Sequence, residues 1–239
     1  MTARVIAFCR DETRRMGFTW QSLAIVAWVA LVLTVEHYHR ANWYWNLIAH
    51  AGGVETARYL RYVWLDFPFL LKVAVPMAII VFVFREPLRS YGLGPGNWRL
   101  GLKLSLACYL LYAPLFVIFF TSQGFQEYYA GVARHIHSGQ DFLLKEIPAV
   151  FFFMVATEFF FRGFLLLGIA KRHGEWVGLL VSIVPFVMWH YNKPAIETFG
   201  SFPVGLALGY VVLRTESIWY AVLLHASIAL ALNGLLLLC

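Results

Sequence analysis

The stretch IPAVFFFMVATEFFFRGFLLLGIA, Ile147–Ala170, decides the fold. It is long enough to cross the hydrocarbon core of a bilayer, which takes about 20 apolar residues. Glu158 and Arg162 are its only charged side chains. A central ionised residue costs about 2.5–3.5 kcal/mol on insertion scales, and inside a membrane it is a functional-site hypothesis by default. The two lie four positions apart, so on a helix they share one face about one turn from each other. The plainer reading is a structural ion pair that locks two helices. The remaining chain is read for polar partners that would favour the functional one.

Composition places the whole chain in the membrane class. Of 239 residues, 61% are hydrophobic and 13% charged, and the mean hydropathy is +0.68. A soluble domain carries about 25% charged residues. The net charge of +6 suits loops beside anionic lipid. It gives no sign of nucleic-acid binding, because the basic residues are scattered and form no basic face. Cys9, Cys108 and Cys239 are far apart, without metal spacing, so neither a disulfide nor a thiol metal site is expected.

Working outward, the apolar runs alternate with short polar ones. A basic lead over residues 1–18, with Arg4, Arg10, Arg14 and Arg15, precedes a retained first span at about 20–35. The mixed stretch 36–65, with Trp43, Tyr44, Trp45, Tyr59, Tyr62 and Trp64, suits headgroup depth. Further spans are expected at about 67–84, 100–120, 147–170, 176–189, 202–213 and 217–238. Lys72 can snorkel at the start of the second and Pro76 can kink it. Loop 85–99 is rich in Gly and Pro, and Gly205-x-x-x-Gly209 allows close helix approach. His135 and His137 in loop 121–146 have metal-like spacing but read as ordinary exposed histidines. Residues 191–201, with Lys193, Pro194 and Glu197, read as a loop.

The expected fold is therefore all-α: a polytopic membrane helix bundle of about seven to eight transmembrane helices in a single domain, residues 1–239. The lead, 85–99, 171–174 and 214 carry four, three, two and one Arg or Lys, which places them and the N-terminus in the cytoplasm. The opposite side holds Arg40, Arg58, Arg61, Arg134, Lys145 and Lys193, so the bias is modest.

Glu158, Arg162, His190 and His225 sit on three separate spans or span ends. A carboxylate and an imidazole that converge can activate a water, and a second imidazole can donate to an oxyanion. Arg162 can hold Glu158 ionised or fix its rotamer. The same groups also suit a proton relay in a transporter, or a zinc site of two imidazoles and a carboxylate. The missing His-Glu-x-x-His signature weakens zinc, so no metal or other cofactor is favoured.

Three motifs in order carry a resemblance. They are Glu158-x-x-x-Arg162-Gly163 followed by Phe164-Leu165-Leu166, then Phe186-x-x-x-His190, then Gly205 through His225 with Arg214-Thr215-x-Ser217-Ile218-Trp219 before that histidine. Together they resemble the CAAX protease and bacteriocin-processing (CPBP) family of intramembrane proteases, over a core of about residues 145–235. A weaker echo lies in the Gly-Leu-Gly-x-Gly-x-Trp loop at 92–98. The resemblance implies a helix bundle with a laterally open cavity and a glutamate-dependent endopeptidase, in which Glu and His activate water and His and Asn stabilise the oxyanion. Two positions depart from the pattern. Thr157 stands where the family has its first Glu, the usual water activator, and Ala229 stands where it has Asn.

Several resolutions are open. Glu158 can act as the base, Glu197 can swing in from its loop, and Asn233, two turns beyond His225, can supply the missing donor. Alternatively hydrolysis is lost, and the chain is an inactive membrane scaffold or maturation partner. The preferred expectation is an intramembrane endopeptidase acting on a membrane-embedded or lipid-anchored peptide. Glu158 and His190 activate water, His225 stabilises the oxyanion and Arg162 positions Glu158. The expected setting is the lipid bilayer of a bacterial-type inner or plasma membrane.

Overall fold

A computed structural model describes residues 17–38, 50, 69–132, 136, 138–191 and 193–236. Four of the features above lie outside the described residues: the basic lead up to residue 16, the six aromatic side chains of stretch 36–65, the His135–His137 pair, and Cys9 with Cys239. Every regular element described is helical. In chain order they are α1 (Trp20–Tyr38), α2 (Leu70–Phe84), α3 (Trp98–Thr121), α4 (Gln123–Val132), α5 (Gly139–His173), α6 (Glu175–Trp189), α7 (Ala195–Thr215) and α8 (Trp219–Leu236). Among the described residues α1, α5 and α7 are long and apolar enough to cross a membrane, and α2, α6 and α8 are shorter apolar helices. The molecule is thus an all-α, multi-pass membrane protein. α6 coincides with the span expected at about 176–189, and α2 ends where its expected span does, at Phe84. α6 stops at Trp189 because the chain turns at His190 to build the polar site described below.

α5 is the central helix. Of its apolar window 72% is buried, against 22% for α1 and 33% for α7. It starts earlier than the sequence suggests, because Ser138 caps it by accepting from the Asp141 amide at 3.0 Å. It then runs through Pro148, which lies where a π-helical segment, Phe142–Glu146, gives way to α-helix. The backbone widens to π-helix again over Phe159–Leu167, directly after Glu158. Such segments add a residue to the turn and are frequent at functional sites. Phe159, Phe160, Phe161 and Phe164 all point into the core.

Two other expectations change. Residues 195–201 are helix rather than loop: α7 begins after the extended Pro194, with Glu197 in its first turn, where a carboxylate suits the helix N-terminus. Lys72 does not snorkel. It is 2% exposed, pairs with Glu36 of α1 at 2.6 Å and lies 4.6 Å over the Trp189 ring. Inside the bundle a partnered ammonium costs less than a bare one.

One end of the bundle is closed by the loop after α2. Residues 92–97 hydrogen-bond the α7–α8 turn throughout. Asn97 donates to the Thr215 carbonyl and Ile218 to that of Gly92, both at 2.9 Å. The Ser217 hydroxyl reaches Gly94 O at 2.8 Å, the Trp219 indole reaches Leu93 O at 3.1 Å, and Tyr220 reaches Pro95 O at 2.8 Å. Gly96, at φ 56°, comes so close that an added Cβ would stand 2.0 Å from Thr215 O. Glu86 of the same loop binds Arg172 and Lys171 at the end of α5, the latter at 3.0 Å, and accepts from Tyr91 at 2.9 Å. Burial raises the Glu86 carboxyl, but hydrogen bonds from Lys171 and Tyr91 and the charges of Arg172 and Lys171 outweigh it, leaving a lowered pKa.

Gly96→Ala should therefore destabilise the fold by more than about 1 kcal/mol, read as a lower unfolding midpoint in detergent. Because the Glu86 pKa is lowered, its contribution is present above the unfolded carboxylate value of about 4.3 and is lost as pH falls through the folded one. Stability of the wild type should drop more steeply than that of Glu86→Gln on acidification below about pH 4.5. Equal slopes in pH-dependent thermal melts would remove Glu86 from that role.

Candidate active site

α5 supplies Glu158 and Arg162, at 0% and 2% exposure. The Glu158 carboxylate is held on both sides. Its Oε2 lies 3.2 Å from Arg162 Nε in an ion pair, and its Oε1 accepts from His225 Nδ1 of α8 at 2.7 Å. Since a carboxylate only accepts, the network places the His225 proton on Nδ1, and the neutral ring keeps its lone pair on Nε2. The Glu158–Arg162 pair, read plainly as a lock between two helices, lies within α5; it is the Glu158–His225 bond that ties α5 to α8 and orients an imidazole.

His190 is the first residue beyond α6 and is 3% exposed. Its Nδ1 lies 2.8 Å from the Phe186 carbonyl one turn back. A carbonyl too can only accept, so this imidazole also presents a lone pair on Nε2 when neutral. Both imidazoles meet the Phe186 ring edge-on, His190 at 4.7 Å and His225 at 6.3 Å between centroids. The Arg162 guanidinium lies 3.8 Å over the same ring. Phe186 is thus a shared wall for three of the four polar groups, His190, His225 and Arg162. A cation over an aromatic face, desolvated as here, gains about 2 kcal/mol. α7 comes close enough to close this wall through its small residues: a Cβ on Gly205 would stand 3.0 Å from Phe186 Cδ1, and one on Gly209 would stand 2.4 Å from Leu179 Cδ1.

The other sequence candidates lie apart from this contact. Glu197 accepts from Tyr129 of α4 and pairs with Lys193. Asn233 Nδ2 donates to Glu146 Oε1 at 2.6 Å, and both residues are buried. Thr157 is fully buried, and Ala229 packs against the core. Among the described residues, Thr157 Oγ1, Glu158 Oε2 and Arg162 Nη1 lack a hydrogen-bond partner. Oε2 keeps the ion pair with Arg162 Nε, but that contact does not have hydrogen-bond geometry. Three such atoms within two turns of one buried helix mark a polar interior, since buried polar groups are otherwise satisfied almost everywhere. Also among the described residues, no cluster of three or more His, Cys, Asp or Glu could hold a metal.

Sequence reasoning took Phe186 only as part of a motif, and it passed over Trp189, whose ring stands at 89° to His190 with centroids 5.3 Å apart. Position was the available signal: Phe186 is one turn before His190 and Trp189 is next to it.

The site gathers two imidazoles, one carboxylate and one guanidinium among membrane helices. Comparison with protein families agrees in class with the resemblance. Residues 139–231 match the family model "Type II CAAX prenyl endopeptidase Rce1-like". The match runs from the first residue of α5 into α8, and it suggests a protease that acts on peptides. No curated protein and no solved structure matches the chain.

The ion pair itself is testable. Arg162→Met would leave Glu158 buried without its cation, a change that costs about 3–5 kcal/mol. Adding Glu158→Gln to Arg162→Met should recover part of that loss, measured by unfolding in mixed micelles. A double variant no more stable than the single one would show that the guanidinium matters for packing alone.

Proposed function

We propose that the chain is an intramembrane endopeptidase that cleaves a membrane-embedded or lipid-anchored peptide with a water activated at Glu158, His190 and His225. The single observation that supports it most is the 2.7 Å bond from His225 Nδ1 to the buried Glu158 carboxylate, with Arg162 on the other oxygen. It favours a division of labour different from the one the resemblance implies. Both Glu158 oxygens are engaged and the residue is fully buried, so it acts through His225 rather than on the water itself.

The water donates one O–H to His225 Nε2 and the other to His190 Nε2, leaving an oxygen lone pair for the scissile carbonyl carbon. As the C–O bond forms, the carbonyl π pair moves onto oxygen and the proton passes to His225. The imidazolium so formed is stabilised by Glu158, the logic of any carboxylate–imidazole pair. It stands with Arg162 as positive charge beside the oxyanion. Collapse of the intermediate breaks the C–N bond, and the His225 proton goes to the departing amine. In this scheme Thr157 and Ala229 remove two groups that the family uses and leave the Glu158–His225 pair intact.

The test is cleavage of a library of membrane-anchored peptides in proteoliposomes. Glu158→Gln, His190→Ala and His225→Ala, each checked for folding, should lose about 10²–10⁴ in rate, as expected for a lost proton-transfer group. Glu197→Gln, which alters no proton-transfer group, should lose no more than several-fold. If the three variants cleave like wild type, or restore a deletion strain as well as it does, the catalytic reading gives way to an inactive scaffold or maturation partner.

A further inference from the structure

The turn that follows His190 is held more tightly than a loop needs. The His190 carbonyl accepts twice, from the Lys193 amide at 3.0 Å and from Thr198 Oγ1 at 2.7 Å. The side chains of Lys193 and of Glu197, next to Thr198, are joined at 2.6 Å in an i,i+4 ion pair and are 23% and 16% exposed. α4 closes the group: Tyr129 Oη lies 2.9 Å from each Glu197 oxygen and 3.5 Å from Lys193 Nζ. Tyr129 is backed by Phe125, at 4.5 Å between centroids, and Phe125 is 1% exposed. Lys193 Nζ also lies 5.7 Å over the Trp189 ring, the same ring that stands edge-on to His190.

We propose that Tyr129, Lys193 and Glu197 are positioning residues for His190: a clamp that holds its backbone and balances the charge beside its ring. The catalytic consequence rests on the endopeptidase reading, while the clamp itself does not. A lone ammonium near an imidazole opposes its protonation, and a carboxylate on that ammonium cancels most of the effect. Tyr129 keeps the carboxylate on Lys193 by giving it a neutral donor, and so makes the balance depend on where α4 sits. Tyr129 lies outside the family-matched segment, so this part of the site is supplied by the rest of the chain. The other charged or titratable groups around His190 are Glu158 and Arg162 of α5, His225 of α8, and Lys72 of α2 with its Glu36 partner on α1. None of them changes in the comparison below.

The experiment follows the His190 side-chain resonance against pH in lipid nanodiscs, with isotopically labelled histidine and assignment by its loss in His190→Gln. Lys193→Met removes the cation and leaves the Glu197 carboxylate uncompensated in the same turn. Its midpoint should be the highest of the series and fall within about pH 4–8. Adding Glu197→Gln to Lys193→Met should bring the midpoint back down by about half a unit or more. Tyr129→Phe keeps both charges, so it should move the midpoint less than Lys193→Met does, while lowering kcat several-fold with KM unchanged. The clamp is overturned if Lys193→Met shows no titration in that window, if it does not titrate highest, or if the added Glu197→Gln has no effect. An unchanged kcat in Tyr129→Phe overturns the part given to α4. The titration needs no substrate. Failure there leaves the endopeptidase reading standing, and a wild type that cleaves nothing leaves the titration result standing.

Discussion

An ionised carboxylate with no exposure to solvent is the constraint around which this bundle is built. Glu158 loses its hydration on burial, and a carboxylate in that position is tolerated only where other groups replace the water. Arg162 does so from one turn along α5 and His225 from α8. Each in turn demands support. The guanidinium is itself buried and lies flat on Phe186 of α6, and the Phe186 carbonyl fixes His190. α7 closes over that ring with a glycine. One charge placed in the middle of α5 thereby sets the contacts of three other helices.

A second set of bonds makes those contacts reproducible. His225 lies in the second turn of α8, so its depth depends on where α8 starts. That start is held by Ser217, Ile218, Trp219 and Tyr220, each bonded to loop 92–97. The Arg-Thr-x-Ser-Ile-Trp run that marked the resemblance is therefore explained by architecture: its hydroxyl, amide and indole are the donors that dock the beginning of α8. The Gly-Leu-Gly-x-Gly-x-Trp echo is the complementary strip of acceptors, and Gly96 is required there because no side chain fits against Thr215. Two motifs more than a hundred residues apart in the chain are two halves of one clasp.

The helical character, the central run and the four polar residues of the site were legible because each breaks a strong rule. A charge in an apolar helix has few explanations, and a histidine in one has not many more. What sequence could not show depended on geometry that the apolar pattern does not encode. The widening of α5 after Glu158 leaves no trace in hydropathy, and nor does its run through Pro148. The start of α7 at residue 195 was hidden by Lys193, Pro194 and Glu197, a composition that reads as loop and in fact leads into a helix. Lys72 was read as an interfacial lysine because its partner Glu36 is distant in the chain. Glu197 as a second carboxylate and Asn233 as a donor were reasonable by spacing, yet Lys193 and Tyr129 engage the first and Glu146 the second, and only the fold brings Tyr129 and Glu146 near.

The family-matched segment contains the four polar residues but not all of their surroundings. Trp189, which stands against His190, is covered by Lys72 of α2, and that ammonium is balanced by Glu36 of α1. Loop 92–97, which fixes the start of α8, comes from before α3. Tyr129 comes from α4. Residues 139–231 therefore hold the four polar groups, and the preceding part of the chain supplies contacts that surround them. Where two groups of the family pattern are replaced by Thr157 and Ala229, the polar contacts from those earlier elements are the features of this chain that bear on how its remaining groups are held.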